Sequence, residues 1–427
     1  MTVSSRIYAL DLFQHVVRHR KPLNHASLGN AGSGDLTSSD QAFAQRLVKT
    51  ALRRLGQIDA ILGNCLDRPL PEKARVAQDV LRLGVAQLLF MEIPDHAAVH
   101  TSVQLFRAKG EGGYAKLING VLRRIAREGH SWIETQDGPR LNTPDWLWLS
   151  WCNAYGMETC RAIAAAHLEE PPLDITVKNN PEIWADRLGA KIMPGGTLRL
   201  RNAGAVSKLQ GYKEGAWWVQ DITAHIISRL LGDIAGKTVI DLCAAPGGKT
   251  ATLINSGAHV TAVDHSRNRL KRLQENLARL NFSAEVIEED AETWRPHEMV
   301  DAVFLDAPCS ATGTLRRHPD IAWGKSKADV EKLAAVQLRL ITSATEMLKS
   351  GGVLVYTTCS LQPEEGHTQV EKASQNKLPL KNFPVAKTDV FGLDATLTPE
   401  GYFRSLPNLL PKAGHLDGFF ACRFEKI

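Results

Sequence analysis

No run of about 18 uninterrupted apolar residues occurs in the 427-residue chain, which excludes a helical membrane span. The opening residues also lack the apolar block and small-residue cleavage site of a secretory signal, so a cytoplasmic address is expected and no membrane partner. Cysteines are few. The seven are odd in number and form no C-x-x-C pair, which argues against a disulfide scaffold and against a zinc site; no metal is expected. Neither sign of charge dominates, since the net charge is only +5. No internal repeat is present, so a solenoid is excluded. What remains is 44% apolar and 23% charged residues, the composition of a soluble globular protein, and a length that calls for two or three domains.

The small basic excess is unevenly placed. Residues 1–140 hold 19 Lys/Arg against 13 Asp/Glu, whereas residues 141–427 hold 32 against 33. Such asymmetry points to a segment that meets a polyanion, the alternative being a basic but idle surface. The same segment has helical periodicity. In Gly113–Arg127, Tyr114, Leu117, Ile118, Val121, Leu122 and Ile125 recur at the spacing of one buried face, with Lys116, Arg123, Arg124 and Arg127 off it. Ala74–Phe90 repeats the pattern through Ala77, Val80, Leu81, Val85, Leu88 and Leu89, and Asn24–Asp40, rich in Gly, Ser and Asn, reads as a loop.

Three segments are expected: an all-α bundle over 1–140, a small α+β module over 141–220, and an α/β domain over 221–427. The middle one opens on a helix from Trp146 and carries strand-like runs at Leu173–Val177 and Thr197–Leu200. From Gly236 onward strands (238–240, 259–263, 284–287, 302–305 and 353–356) alternate with helices such as Ser266–Leu280 and Ala328–Leu348, the signature of a mainly parallel, doubly wound sheet. The closing Gly418–Phe424 has no helix after it and fits an antiparallel strand.

In such a sheet ligands gather beyond the carboxyl ends of the strands. Three strings sit there. Asp241-Leu242-Cys243-Ala244-Ala245-Pro246-Gly247-Gly248-Lys249-Thr250 makes a tight turn into a helix, but a phosphate-binding P-loop needs glycine where Cys243 stands, and G-x-G-x-x-G is absent. Asp264 and Asp290 follow the next two strands, placed to meet a ribose diol and an adenine amino group, although strand-end acids also merely cap helices. Asp306-Ala307-Pro308-Cys309-Ser310 and Thr358-Cys359-Ser360 each put a cysteine just past a buried strand. A nucleoside cofactor beside two thiols is the chemistry indicated. Spacing alone does not choose which thiol is the nucleophile.

Together Asp241–Thr250, Asp306–Ser310 with Gly313, and Thr358-Cys359-Ser360 resemble the RNA cytosine-5 methyltransferases of the Nol1/Nop2/Sun family. Ile93-Pro94-Asp95-His96-Ala97-Ala98-Val99 and Thr314-Leu315-Arg316-Arg317-His318-Pro319-Asp320-Ile321 resemble its bacterial 16S ribosomal RNA members, whose N-terminal domain is similar to the antitermination factor NusB. The likeness covers essentially the whole chain. It implies a multidomain fold: a NusB-like helical bundle that binds RNA, a small linker module, and a C-terminal Rossmann-like methyltransferase domain.

It also implies S-adenosylmethionine along Cys243, Ala244, Ala245, Pro246, Gly247, Gly248 and Lys249, with Asp264, Asp290 and Asp306. Cys359 then attacks carbon 6 of a cytosine, Cys309 assists removal of the carbon-5 proton and product release, and Asp306 stabilises the base at ring nitrogen 3, with Lys249 aiding thiolate formation. The expected partner is an unpaired or loop cytosine of 16S ribosomal RNA, with Arg316, Arg317 and His318 beside it, and the expected state is a monomer. Transfer RNA as substrate and a non-enzymatic RNA assembly factor are the alternatives; only the second predicts full function without the two thiols.

Overall fold

The computed structural model describes residues 3–23, 36–109, 113–201 and 203–427, so residues 24–35 of the expected loop lie outside the described residues. The chain divides into two compact units, residues 1–170 with 315–326, and residues 171–314 with 327–427. The expected middle segment is thus shared: its helices up to His167 belong to the first unit, its strands and the helix Pro181–Leu188 to the second.

The first unit contains α1 (Val3–Val17), α2 (Ser38–Arg53), α3 (Leu55–Cys65), α4 (Arg75–Phe90), α5 (Asp95–Lys109), α6 (Ala115–Glu134), α7 (Gly138–Leu141), α8 (Asp145–Tyr155), α9 (Met157–His167) and, from the later insertion, α14 (Ile321–Gly324). Thr37 caps α2 by accepting the Asp40 N–H at 3.2 Å, satisfying one of the donors a helix start leaves open. Helix α4 is buried nearly all round, Asp79, Arg82 and Gln87 included, as befits the central helix of a bundle.

On α6 the inward stripe is Ile118, Val121, Leu122 and Ile125, while Lys116, Arg123, Arg124 and Arg127 are exposed. Leu117, expected inside, is 36% exposed; one residue from Ile118 it lies about 100° round the helix, off the apolar stripe. Residues 315–326 dock within this unit through apolar packing of Trp323 and hydrogen bonds that include Trp323 Nε1 to Leu52 O (2.8 Å), Leu23 N to Asp320 (3.0 Å), and Arg53 Nη2 to Arg316 O (2.8 Å).

The second unit opens with β1 (Leu173–Val177), α10 (Pro181–Leu188), β2 (Lys191–Ile192), β3 (Leu198–Leu200) and β4 (Trp217–Val219), an antiparallel sheet in the order β2-β3-β1-β4. A buried bidentate pair, Arg199 with Asp174 at 2.7 Å for both bonds, ties β3 to β1. Next come α11 (Ile222–Ser228), β5 (Thr238–Leu242), α12 (Gly248–Asn255), β6 (His259–Asp264), α13 (Arg267–Arg279), β7 (Glu285–Glu288) and β8 (Val300–Asp306). The unit closes with α15 (Lys327–Met347), β9 (Leu348–Thr358), α16 (His367–Gln375), β10 (Leu380–Asn382), β11 (Phe403–Ser405) and β12 (Phe419–Lys426).

These strands form an eight-stranded sheet in the order β10-β12-β9-β8-β5-β6-β7, with β11 also on β12. Strands β5 to β9 run parallel, and β12 is antiparallel to β9. Alternation along the strands divides the core. Val239, Phe304 and Val355 face α11 and Leu253 of α12, whereas Ile240, Leu305 and Tyr356 face Leu340, Ile341 and Ala344 of α15. This is the doubly wound arrangement, and its topological switch point falls between β5 and β8.

Candidate active site

The turn after β5 is built by residues with unusual backbone. Cys243 and Gly247 both have positive φ, +60° and +96°. At Gly247 a side chain is excluded twice over, because its Cβ would also stand 3.0 Å from Leu273 Cγ on α13. The turn is braced from within. Thr250 Oγ1 donates to Asp241 Oδ2 at 2.6 Å, and Ala245 N–H donates to Asp264 Oδ2 at 3.2 Å. Asp264 also accepts from Ser266 N–H (3.0 Å) and pairs with Arg269 (3.1 Å), which in turn donates to the Ala245 carbonyl. Buried and multiply bonded, Asp264 works first as a brace of the loop. Asp290, one strand further, is exposed and accepts the Glu292 N–H at 2.9 Å.

Burial pushes the Asp241 carboxyl up to about 7, and its Oδ1 has no hydrogen-bond partner among the described residues. Burial, reinforced by Asp306 and Asp264, also pushes the Cys243 thiol well up, so it stays protonated. Acids at the ends of β5, β6 and β8, and Asp290 just past β7, present acceptors beside a glycine turn. That donor set fits a cationic nucleoside cofactor: acceptors for a ribose and an amino group, carboxylates to balance a positive charge.

Strands β8 and β9 bring the thiols together. Asp306 is in register with Thr357, and Ala307 N–H extends the pairing to Thr357 O at 3.0 Å. The turns that follow place Cys309 Sγ 3.4 Å from Cys359 Sγ, both partly exposed. Gly313 N–H donates to Cys359 O at 2.9 Å, and a Cβ on Gly313 would sit 1.9 Å from Gly418 O. Only glycine permits that approach between the Cys309 turn and the start of β12.

Lys249 reaches across from α12 to Asp306, Nζ to Oδ2 2.7 Å. Burial works against its charge, but Asp306 and then Cys359 outweigh that and hold the ammonium above its ordinary value. The hydrogen bond to Cys359, then burial, push the Cys309 thiol well up. The structure therefore brings Lys249, Asp306, Cys309 and Cys359 into one cluster, with Cys243–Gly248 and Asp264 forming the adjoining loop.

Two features differ from the sequence reading. Arg316 is fully buried, with its carbonyl taken by Arg53, so it presents no guanidinium to a phosphate, whereas His318 is exposed. Behind the cysteine turns lies a polar group that motif reading missed: Glu365, Gln337, Tyr356, Ser310, Thr312 and Ser360. The available signal was Pro363-Glu364-Glu365-Gly366, acids just past a strand end where nothing else called for charge.

The family model described as 16S rRNA methyltransferase RsmB/F matches residues 229–425, and the NusB family model matches residues 3–127. Ribosomal RNA small subunit methyltransferase B of Pasteurella multocida is 34% identical over 448 residues, spanning 100% of this chain and 96% of that protein. Its counterpart from Erwinia tasmaniensis is 33% identical over 440 residues, 99% and 98% of the two chains. Among solved structures, that of PH0851 aligns over 100% of this chain and 99% of its own with TM-score 0.77 and 21% identity. NSun6 from Pyrococcus horikoshii, solved with SFG, covers 66% of this chain and 98% of its own with TM-score 0.56 and 20% identity. At these identities the two structures speak to the fold.

Proposed function

The chain belongs to the RsmB/F family of S-adenosylmethionine-dependent 16S ribosomal RNA methyltransferases, with a NusB-family domain at its N-terminal end, and from that premise we propose that it methylates carbon 5 of an unpaired or loop cytosine through a covalent Cys359 adduct. The observation that carries the reading is the 3.4 Å approach of Cys309 and Cys359 beside the Lys249–Asp306 pair.

Carbon 5 of cytosine is a poor nucleophile. Addition of the Cys359 thiolate to carbon 6 converts the ring to an enamine and makes carbon 5 nucleophilic. The Lys249 ammonium favours that thiolate by charge. In this reading Asp306 faces ring nitrogen 3, and the Lys249 ammonium that donates to it at 2.7 Å balances charge on the adduct. S-adenosylmethionine, held along Cys243, Ala244, Ala245, Pro246, Gly247, Gly248 and Lys249 with Asp264, Asp290 and Asp306, supplies an electrophilic methyl group. Cys309, whose sulfur lies 3.4 Å from that of Cys359, is placed to take the carbon-5 proton as Cys359 departs.

A target base must leave its stack to reach such a group, which favours an unpaired nucleotide. The exposed basic face of α6 supplies sequence-tolerant phosphate contacts. The protein acts as a monomer in the cytoplasm in this reading. Among the described residues no helix is long and apolar enough to cross a membrane, and no cluster of potential ligands suits a metal ion. Incubation with labelled S-adenosylmethionine and 16S ribosomal RNA tests the proposal, and label recovered only in products other than 5-methylcytosine rejects it.

A further inference from the structure

We propose that Glu365 is a positioning residue that clamps the Cys309 turn to the Cys359 turn, fixing the separation of the two thiols on which the proposed covalent mechanism depends. The inference rests on that mechanism for its purpose but not for its geometry. Glu365 is fully buried. Its Oε1 accepts from Ser310 N–H at 2.8 Å and from Gln337 Nε2 at 3.1 Å, and its Oε2 accepts from the Ser310 hydroxyl. Its main-chain carbonyl accepts from Tyr356 OH at 2.8 Å and from Thr358 Oγ1 at 3.0 Å. Ser310 follows Cys309 and Thr358 precedes Cys359, so one residue grips the neighbours of both sulfurs. Hydroxyl contacts close the gap: Ser360 Oγ lies 3.1 Å from Ser310 Oγ and 3.3 Å from Thr312 Oγ1.

The residue type follows from this arrangement. Three donors converge on the side chain, and a carboxylate offers two acceptor oxygens where an amide offers one. Burial raises the Glu365 pKa despite those bonds, so a charge at this position carries a cost. Apolar packing would fill the same space more cheaply, but it cannot hold the Ser310 N–H and hydroxyl at fixed positions. Gln337 extends the hold by donating to Pro308 O at 2.9 Å, immediately before Cys309.

The test uses the full chain and a proximity readout independent of methyl transfer. Diamide accepts two electrons and both thiol protons, becoming the hydrazine, as Cys309 and Cys359 join in a disulfide. Glu365→Gln is expected to slow that closure about fivefold and to lower kcat on 16S ribosomal RNA about tenfold, with KM for S-adenosylmethionine within about twofold. Ser310→Ala should give a smaller loss, and adding it to Glu365→Gln should cost almost nothing more, because both remove the same contact. If Glu365→Gln fails to fold, Ser310→Ala and Glu365→Asp carry the measurement. A folded Glu365→Gln protein with wild-type closure rate and kcat overturns the clamp, and so does full additivity with Ser310→Ala. A wild-type enzyme that closes the disulfide yet makes no 5-methylcytosine overturns the mechanism instead, while the closure rates still decide the clamp.

Discussion

In the helical unit the buried Asp79 carboxylate meets two guanidinium groups, Arg18 at 2.6 Å and Arg82 at 3.3 Å, and Arg82 continues to Asp59 with two bonds of 2.7 Å. In the sheet unit the buried Asp241 and Glu365 meet hydroxyl and amide donors instead. The first arrangement cancels charge and serves as scaffold. The second leaves burial uncompensated, and both carboxyls are pushed upward. Perturbed carboxyls gather where chemistry is done, although buried structural networks can produce them too. Here they stand directly behind the Cys243–Gly248 turn and the two thiols, which favours the functional reading.

The sharpest break in this comparison comes from the thiols. Cys359→Ala should lower methyl transfer by more than about 10³-fold, since the proposed nucleophile itself is lost. Cys309→Ala should instead accumulate a protein–RNA adduct that survives denaturation and is seen as a shifted band on a gel. An adduct trapped by the Cys359 variant would reverse the two roles. On the scaffold side, Asp79→Ala leaves Arg18 and Arg82 without their shared carboxylate and should cost about 3–5 kcal/mol in urea unfolding. A loss below about 1 kcal/mol would mean that Asp79 does not anchor the bundle.

The contrast explains which parts of the molecule were legible in the sequence. Periodicity reports burial, so α4, α6 and the strands of the parallel sheet were readable from runs such as Val303-Phe304-Leu305. The short edge strands β10 and β11 carry three residues each, too few for any period to register. At the candidate site, strand ends located the acids and both cysteines, because chain direction in a doubly wound sheet sends them to one side. Glu365 left only the faint signal of acids past a strand end, because it lies on no strand or long helix and its partner Ser310 is fifty-five residues earlier. Arg316 misled for the related reason that a basic triplet signals a surface only if the segment stays on one.

Asp241 offers a pH test of the same comparison. Its folded-state pKa of about 7 lies above the ordinary 3.8, so its contribution to stability is fully present below about pH 4 and is lost as pH rises toward 7. The full span corresponds to at most about 4 kcal/mol. Asp241→Asn should remove that slope, making the variant relatively more stable at pH 8 than at pH 4 when each is compared with the parent. Urea midpoints at the two pH values measure it. Parallel curves for parent and variant would mean that Asp241 is ionised at no cost, and the uncompensated burial argued above would be wrong.

The smallest effect belongs to the exposed charges of α6, which neither arrangement of buried carboxylates touches. Arg123 and Arg127 are exposed, Arg127 with only a loose 3.9 Å approach to Glu128, while Arg124 is paired to Glu128 at 3.1 Å. If they meet phosphates, each releases counterions on binding, and replacing both with alanine should reduce the slope of log affinity against log salt by about two. Affinity at moderate salt should fall a few-fold, and the loss should appear in KM rather than kcat, because such contacts serve ground state and transition state alike. The bundle itself should be unaffected, since both side chains lie off the Ile118–Ile125 stripe. Filter binding over a range of potassium chloride separates the outcomes. An unchanged slope would return the basic excess of this unit to an idle surface and leave RNA contact to the sheet unit.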